Sequence, residues 1–318
     1  MSTTLLYDNP LFLQHQTGRH VESAQRIQQV QHTLSTESTL PSQILRISRW
    51  DAADHDALQR VHSQSYLHHL AEFATQGGGQ IEQDTILSPR SFEVARHASG
   101  AACDAVSRVV GGGASRAFCL IRPPGHHALT DGAMGFCLLN HVAIAAAYAC
   151  SVAGVDRVLI IDWDVHHGNG TQDIFWSDSQ VAFLSIHRWP FYPGSGRAEE
   201  TGTGPGLGTT CNIPLAFGTS RATYCDRFRQ GVERIAARHQ PELILLSAGF
   251  DAHKDDPIGS LGLQDEDFDT LTRCVRDVAD VHCKGRIVSL LEGGYNPDAL
   301  ARCVSIHLRG LSKRIDDS

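Results

Sequence analysis

Two carboxylates and an imidazole alternate in the stretch Asp162-Trp163-Asp164-Val165-His166-His167-Gly168-Asn169-Gly170. The apolar run Val158–Ile161 leads directly into it. A strand turns alternate residues to one side, so Asp162, Asp164 and His166 are expected to share a face just past a buried strand. Carboxylate oxygen and imidazole nitrogen are donors that a borderline divalent ion such as zinc accepts. Gly249-Phe250-Asp251 offers a further carboxylate. Asp164, His166 and Asp251 are therefore the expected metal ligands. Three protein ligands leave coordination positions for water and substrate, as in a catalytic site.

Two further histidines, His126 and His127, follow Pro123-Pro124-Gly125. Prolines stiffen that loop and glycine lets it turn, so both imidazoles are held firmly. Imidazole exchanges protons near neutral pH, as hydrolysis requires. Asp162 and Asn169 are candidates to bond the outer ring nitrogens and set the tautomers. Tyr295, after Glu292-Gly293-Gly294, brings a hydroxyl that can donate to a developing oxyanion. His55, His68, His69 and His239 sit in no such pattern and read as surface or core residues.

These groups need a frame. The chain has 318 residues, 42% of them hydrophobic, enough for one large α/β domain. Short apolar runs predict strands at Ala117–Ile121, Val158–Ile161, Val181–Ile186, Leu243–Ser247 and Ile287–Leu291. Between them, Phe92–Val110, Asn140–Val152, Tyr224–His239 and Asp265–His282 read as helices, the last with an acidic start that suits the helix dipole. Alternation of this kind implies a parallel sheet with helices on both faces. Each polar motif then falls at the carboxyl end of a strand, the edge where open parallel sheets bind ligands. The Gly-, Thr- and Pro-rich stretch Gly194–Gly208 reads as a long surface loop. No compositional shift divides the chain, so a single domain over residues 1–318 is expected.

Net charge is −8 and no Lys/Arg run occurs, which argues against a nucleic-acid partner. The start lacks the pattern of a signal peptide, and no apolar run approaches the ~18–20 residues of a membrane span. Nine scattered cysteines without a C-x-x-C pair read as reduced thiols in a cytoplasmic protein.

Taken in order, the motifs resemble the zinc-dependent histone deacetylase family of the arginase/deacetylase superfamily, and in particular its bacterial class II-like amidohydrolases. TGRHVESAQRI (residues 17–27) resembles the early His-Pro-Glu-x-x-x-Arg segment, with Val21 in place of proline. RPPGHH, GFCLLNHVAIAA, DWDVHHGNGTQDIF, SIHRWPFYPGSG, SAGFDAH and LEGGYN follow in family order. The resemblance implies an eight-stranded parallel sheet sandwiched by helices and one catalytic Zn2+ on Asp164, His166 and Asp251. It implies His127 as general base and then acid, paired with Asn169 where some members carry Asp. His126, paired with Asp162, would be its electrostatic neighbour, and Tyr295 would stabilise the transition state. Gly135, Phe136 and Tyr192 match the wall of an acyl-lysine tunnel, and Asp84 aligns with a rim aspartate. Asp162, Asp164, His166, Ser185 and Ile186 match an inner K+ site.

The implied activity is hydrolysis of an acyl-lysine side-chain amide in a protein or peptide. An acylated polyamine is the alternative substrate. Polyamine-selective relatives can carry an acidic gatekeeper where Ile258 stands, which favours acyl-lysine, while Asp255-Asp256 keeps the alternative in view as something other than a solvated turn. A non-catalytic acyl-lysine binder and an arginase-like ureohydrolase are the readings from other classes. The ligand set with Tyr295 counts against the first, and the absence of a paired-metal Asp pattern against the second.

Overall fold

The computed structural model describes residues 3–36 and 41–313. In chain order its strands are β1 (Thr4–Tyr7), β2 (Ile44–Ile47), β3 (Gly79–Glu82), β4 (Thr85–Leu87), β5 (Arg116–Cys119), β6 (Val158–Asp162), β7 (Val181–Arg188), β8 (Thr210–Leu215), β9 (Leu243–Ala248) and β10 (Ile287–Leu291). Its helices are α1 (Ala24–Thr36), α2 (His55–Gln59), α3 (Gln64–Thr75), α4 (Ser91–Val110), α5 (His141–Ser151), α6 (Asn169–Ile174), α7 (Arg221–His239), α8 (Asp265–His282) and α9 (Pro297–Ser312).

Eight strands form one sheet in the order β2-β1-β5-β10-β9-β6-β7-β8. Every pairing in it is parallel. β3 and β4 form a separate antiparallel hairpin. The expected α/β architecture is therefore observed.

The five strands read from sequence are all present, shifted by a few residues at their ends. β6, β9 and β10 are buried at every position, so continuous apolar runs suit them. Their side chains still alternate: Leu243 and Leu245 join one core, Ile244 and Leu246 the other. The first core is closed by α3, α4 and α5, the second by α1, α7, α8 and α9. In α8, Phe268, Leu271, Thr272, Val275 and Ala279 form the buried stripe at helical spacing. Its acidic first turn does more than face the dipole. Asp267 closes a capping box with Gln264, and Asp265 pairs with Arg302 and His253.

Strands β1, β2 and β8 and helices α1 and α9 were not expected from the apolar pattern. β1 is only four residues long, β2 is a half-exposed edge strand, and Pro214 interrupts the edge strand β8. Residues 194–208 form the expected loop, mostly exposed, with one 3-10 turn at Gly204–Gly206. All nine cysteines are free thiols. No helix among the described residues is long and apolar enough to cross a membrane.

One core histidine makes the fold sensitive to acid. His307 is buried between Thr272 Oγ1 at 2.7 Å and Ser289 Oγ at 2.9 Å, and burial pushes its pKa down to about 3. Between that value and the unfolded pKa of ~6.5, the unfolded chain binds a proton that the native chain does not. Stability is thus lost as pH falls through this window, by about 1.4 kcal/mol per pH unit for this group. His307→Gln removes the titration. Urea unfolding at pH 6 and pH 4 should show the variant gaining on the parent protein by roughly that slope. A difference between the two proteins that does not change with pH would refute the assignment.

Candidate active site

The carboxyl ends of β6, β9 and β10 deliver the polar groups to one place. β6 ends at Asp162, so Asp164 and His166 are not strand residues as the period-2 reading assumed. Local hydrogen bonds fold the segment instead. Asp164 N donates to Asp162 Oδ1 at 3.0 Å, and His166 N donates to Asp164 Oδ1 at 2.9 Å. The convergence survives with a different cause.

Ligand atoms of Asp164, His166 and Asp251 lie within 4.8 Å of one another. His166 Nδ1 stands 3.0 Å from Asp164 Oδ1 and 3.1 Å from Asp251 Oδ2. A tetrahedral ion with ~2 Å bonds needs ligand atoms about 3.3 Å apart, so these spacings fit one. Backbone donors fix the other oxygens: Gly293 N donates to Asp164 Oδ2 at 2.8 Å and Val165 N to Asp251 Oδ1 at 2.9 Å. Burial, then the charge of Asp164, raises the Asp251 pKa to about 7. Burial opposes the charge of His166, but the two carboxylates outweigh it and carry its pKa to about 9. Asp251 draws a proton onto itself, and together with Asp164 it draws one onto His166, so the cluster lacks positive charge, which is what a cation would add.

The two histidines of the Pro-Pro-Gly loop lie side by side, ring centroids 4.0 Å apart. Each has the partner expected: His126 Nδ1 meets Asp162 Oδ2 at 2.9 Å, and His127 Nδ1 meets Asn169 Oδ1 at 2.7 Å. Their electrostatics diverge. Burial opposes charge on His126, yet Asp162 and Asp164 prevail and lift its pKa to about 10. His127 is driven well below its usual value by burial, and then by His126 and His166. An amide oxygen at Nδ1 accepts a hydrogen, so His127 carries its proton there and leaves Nε2 free to accept another.

Aromatic rings line the approach. Tyr192 stands edge-on to His127 at 5.3 Å, and Phe136 edge-on to Tyr295 at 5.7 Å. Phe136 adopts φ 70°, rare for a bulky residue, and Gly135 before it adopts φ 54°. A Cβ on Gly135 would collide with the His127 ring, so glycine is required for this close approach. Thr85 Oγ1 accepts from Phe136 N at 3.0 Å and donates to Asp84 Oδ1 at 3.2 Å, which places Asp84 beside this wall. Ile258 is half-buried. Ser185 and Ile186 are buried on β7, with Ser185 Oγ 2.9 Å from His187 Nδ1.

Several groups escaped the sequence reading. Asp256 is buried rather than solvated, and it accepts from Tyr295 N at 2.7 Å and from Ile258 N and Gly259 N at 2.9 Å each. Asp255 remains exposed. Glu292 Oε2 accepts from Gly125 N at 2.6 Å and His126 N at 3.2 Å, tying the LEGGY loop to the Pro-Pro-Gly loop. Glu22 pairs with Arg26 at 3.0 Å and Arg122 at 2.6 Å, all fully buried. Arg26 then donates to Gly294 O at 2.6 Å and lies over the Tyr295 ring at 4.9 Å. Glu22, Arg26, Arg122 and Glu292 fall inside the motif stretches with no role assigned to them, and Asp256 reads in the sequence only as half of an acidic pair.

Residues 20–311 match the histone deacetylase domain model. The chain belongs to the histone deacetylase family. It is 38% identical to a probable deacetylase of Archaeoglobus fulgidus over 93% of this chain and 82% of that protein. It is 38% identical to the histone deacetylase-like amidohydrolase of Pseudomonas aeruginosa over 89% and 74%. Against the type-2 histone deacetylase 2 of Dictyostelium discoideum, identity is 43% over 74% of this chain, which spans 15% of that protein. The crystal structure of the HDA15 HD domain superposes with a TM-score of 0.91 at 33% identity, covering 98% of this chain and 88% of that one.

The LEGGY loop yields a test of the ligand cluster. A Cβ on Gly293 would overlap Asp251 Oδ2 and lie 2.5 Å from Asp164 Oδ2. Gly293→Ala should therefore weaken Zn2+ binding by at least the 10–100-fold typical of lost ligand support. Competition with a chromogenic chelator measures it. Unchanged affinity would show that the ion binds elsewhere.

Proposed function

We propose that this protein is a zinc-dependent amidohydrolase that removes acetyl or other short acyl groups from lysine side chains. The observation that carries the reading is the placement of a neutral imidazole, His127, beside the Asp164–His166–Asp251 cluster, with Tyr295 facing the same approach through Phe136. Asp164, His166 and Asp251 would hold Zn2+, which supplies Lewis acidity and lowers the pKa of a bound water.

The protein's own groups complete the reaction. His127 Nε2 takes the proton as water attacks the amide carbonyl. Asn169 keeps that nitrogen unprotonated beforehand by holding the hydrogen on Nδ1. The phenol of Tyr295 donates to the oxyanion, and the hydrogen bond from its backbone N–H to Asp256 fixes where it stands. His127 then delivers its proton to the departing amine. His126, paired with Asp162, contributes positive charge beside the developing oxyanion. As the family resemblance implies, Asp162, Asp164, His166, Ser185 and Ile186 would hold a second, inner cation, K+, partly through backbone oxygens.

Acyl-lysine is favoured over acylated polyamine. Ile258 has no charge to meet a second ammonium, and Asp256 is engaged by three backbone N–H groups. Asp84, beside the Phe136 wall, suits a peptide N–H of the substrate. On this reading the substrate is an acylated protein or peptide, and the nine free thiols suit a cytoplasmic location.

Tyr295→Phe should cut turnover by roughly 10²–10³, as loss of one oxyanion donor does, while leaving zinc affinity unchanged. The assay pairs an acetyl-lysine peptide with acetylputrescine, with and without chelator. Chelator-sensitive peptide cleavage supports the proposal. Preference for acetylputrescine would move the substrate class to polyamines. Zinc bound with neither substrate turned over would favour a binding role.

A further inference from the structure

The imidazole of His166 has a neighbour outside the set described so far. Phe191 lies nearly parallel to it, centroids 5.2 Å and planes 18° apart. The Arg188 guanidinium carbon stands 4.2 Å from the Phe191 centroid and 4.5 Å from that of Phe217. Arg188 is itself anchored at both ends: its backbone N donates to Val165 O at 2.9 Å, and Nη1 donates to Gly259 O at 2.9 Å. Phe217 is 68% exposed. A chain of flat contacts thus runs from the protein surface to the face of a proposed metal ligand.

The arrangement answers a need. A ligating histidine ordinarily donates its second ring N–H to a carboxylate or carbonyl, and that bond sets the ring's rotation. Among the described residues, His166 Nε2 takes no such bond, since both of its side-chain hydrogen bonds are made by Nδ1. The last torsion of a histidine is otherwise broad. A parallel ring against its face opposes rotation, because turning the imidazole would drive an edge into Phe191. Arg188 is arranged to hold Phe191 there. Its Nε is buried without a hydrogen-bond partner, so the guanidinium sits where its faces meet rings rather than where its donors are best satisfied. Phe217 covers that guanidinium from the solvent side, which accounts for a large apolar ring left exposed.

We infer that Phe191, clamped by Arg188 and capped by Phe217, is the positioning residue that orients the His166 ring toward Asp164 and Asp251. The inference rests on the ligand role proposed for His166.

The test uses Co2+ as the probe, added to metal-free protein and followed by visible absorption and dissociation constant. Phe191→Leu keeps apolar bulk and removes the flat face. It should weaken Co2+ binding about 10–100-fold, the range for lost support of a ligand, and shift the absorption bands. Phe191→Tyr restores a ring and should restore both. Arg188→Met and Phe217→Ala should each give a smaller loss of the same kind. Wild-type affinity and spectrum in Phe191→Leu would overturn the inference, because space-filling alone would then suffice. Should Phe191→Leu not fold, unchanged Co2+ affinity in both Arg188→Met and Phe217→Ala would overturn it equally. The His166→Ala variant separates the two layers: if it binds Co2+ as the wild type does, the ligand assignment fails and the inference with it.

Discussion

Buried negative charge is the constraint around which this structure is arranged. Asp162, Asp164, Asp251 and Glu292 are all 0–1% exposed at the edge of one sheet. Two unit charges 4 Å apart repel by about 4 kcal/mol at an effective dielectric of 20, a large share of a domain's stability of ~5–15 kcal/mol. Such a cluster persists only if compensation is built in. His126 and His166 carry part of it, and six backbone N–H groups carry more: Asp164, Val165, His166, Gly125, His126 and Gly293 each donate to one of these carboxylates. The loops after β5, β6, β9 and β10 are therefore not free to vary separately. The loops after β5, β6 and β10 each donate to a carboxylate on another, and the loop after β9 carries one of those acceptors, Asp251.

A second buried network supports the first. Glu22, on the segment before α1, pairs with both Arg26 and Arg122, and the arginines place most of their other donors on backbone carbonyls. Arg122 closes onto the 3-10 turn Pro10–Gln14 and the residue after it, through the carbonyls of Phe12 and His15, whereas Arg26 reaches the carbonyls of Glu292 and Gly294. Burying these ions is costly, and a triad of this kind is weak grounds for added stability. Its use is geometric. It fixes the first residues of the LEGGY loop, from which Gly293 supports Asp164 and Tyr295 faces the substrate approach.

Much of this was legible in the residues, for identifiable reasons. The central strands are buried on both faces, so β6, β9 and β10 read as apolar runs, and the polar groups follow them directly. The residues alone named Asp162 and Asn169 as candidate partners of the two histidines, and the family resemblance supplied which pairs with which, as His126–Asp162 and His127–Asn169 are found. What could not be read depends on contacts distant in sequence. Glu22 meets Arg122 across 100 residues, and Glu292 meets Gly125 across 167. No local pattern encodes such partners. Asp256 resembled a solvated turn because an Asp-Asp-Pro stretch usually is one. Its burial comes from the Tyr295 loop folding over it. The edge strand β2 lacked a pattern because a half-exposed strand is under no demand for an apolar run, and β8 lacked one because Thr210, Asn212 and Pro214 alternate with its apolar residues.

The adjacent histidines show how environment divides labour between identical side chains. Both are buried, and burial alone would discharge both. Asp162 reverses that for His126, whose positive charge then lies one ring away from His127 and holds it neutral. Asn169 decides the rest. An aspartate there would add negative charge and raise the proton affinity of His127. The amide orients the ring without adding charge, since its oxygen accepts the Nδ1 hydrogen and its nitrogen rests on Met134 Sδ at 3.4 Å. For the general-base role proposed for His127, which needs a proton picked up and released within one turnover, this environment supplies a low proton affinity. Charge on one histidine and its absence at the partner of the other are thus two halves of a single electrostatic arrangement.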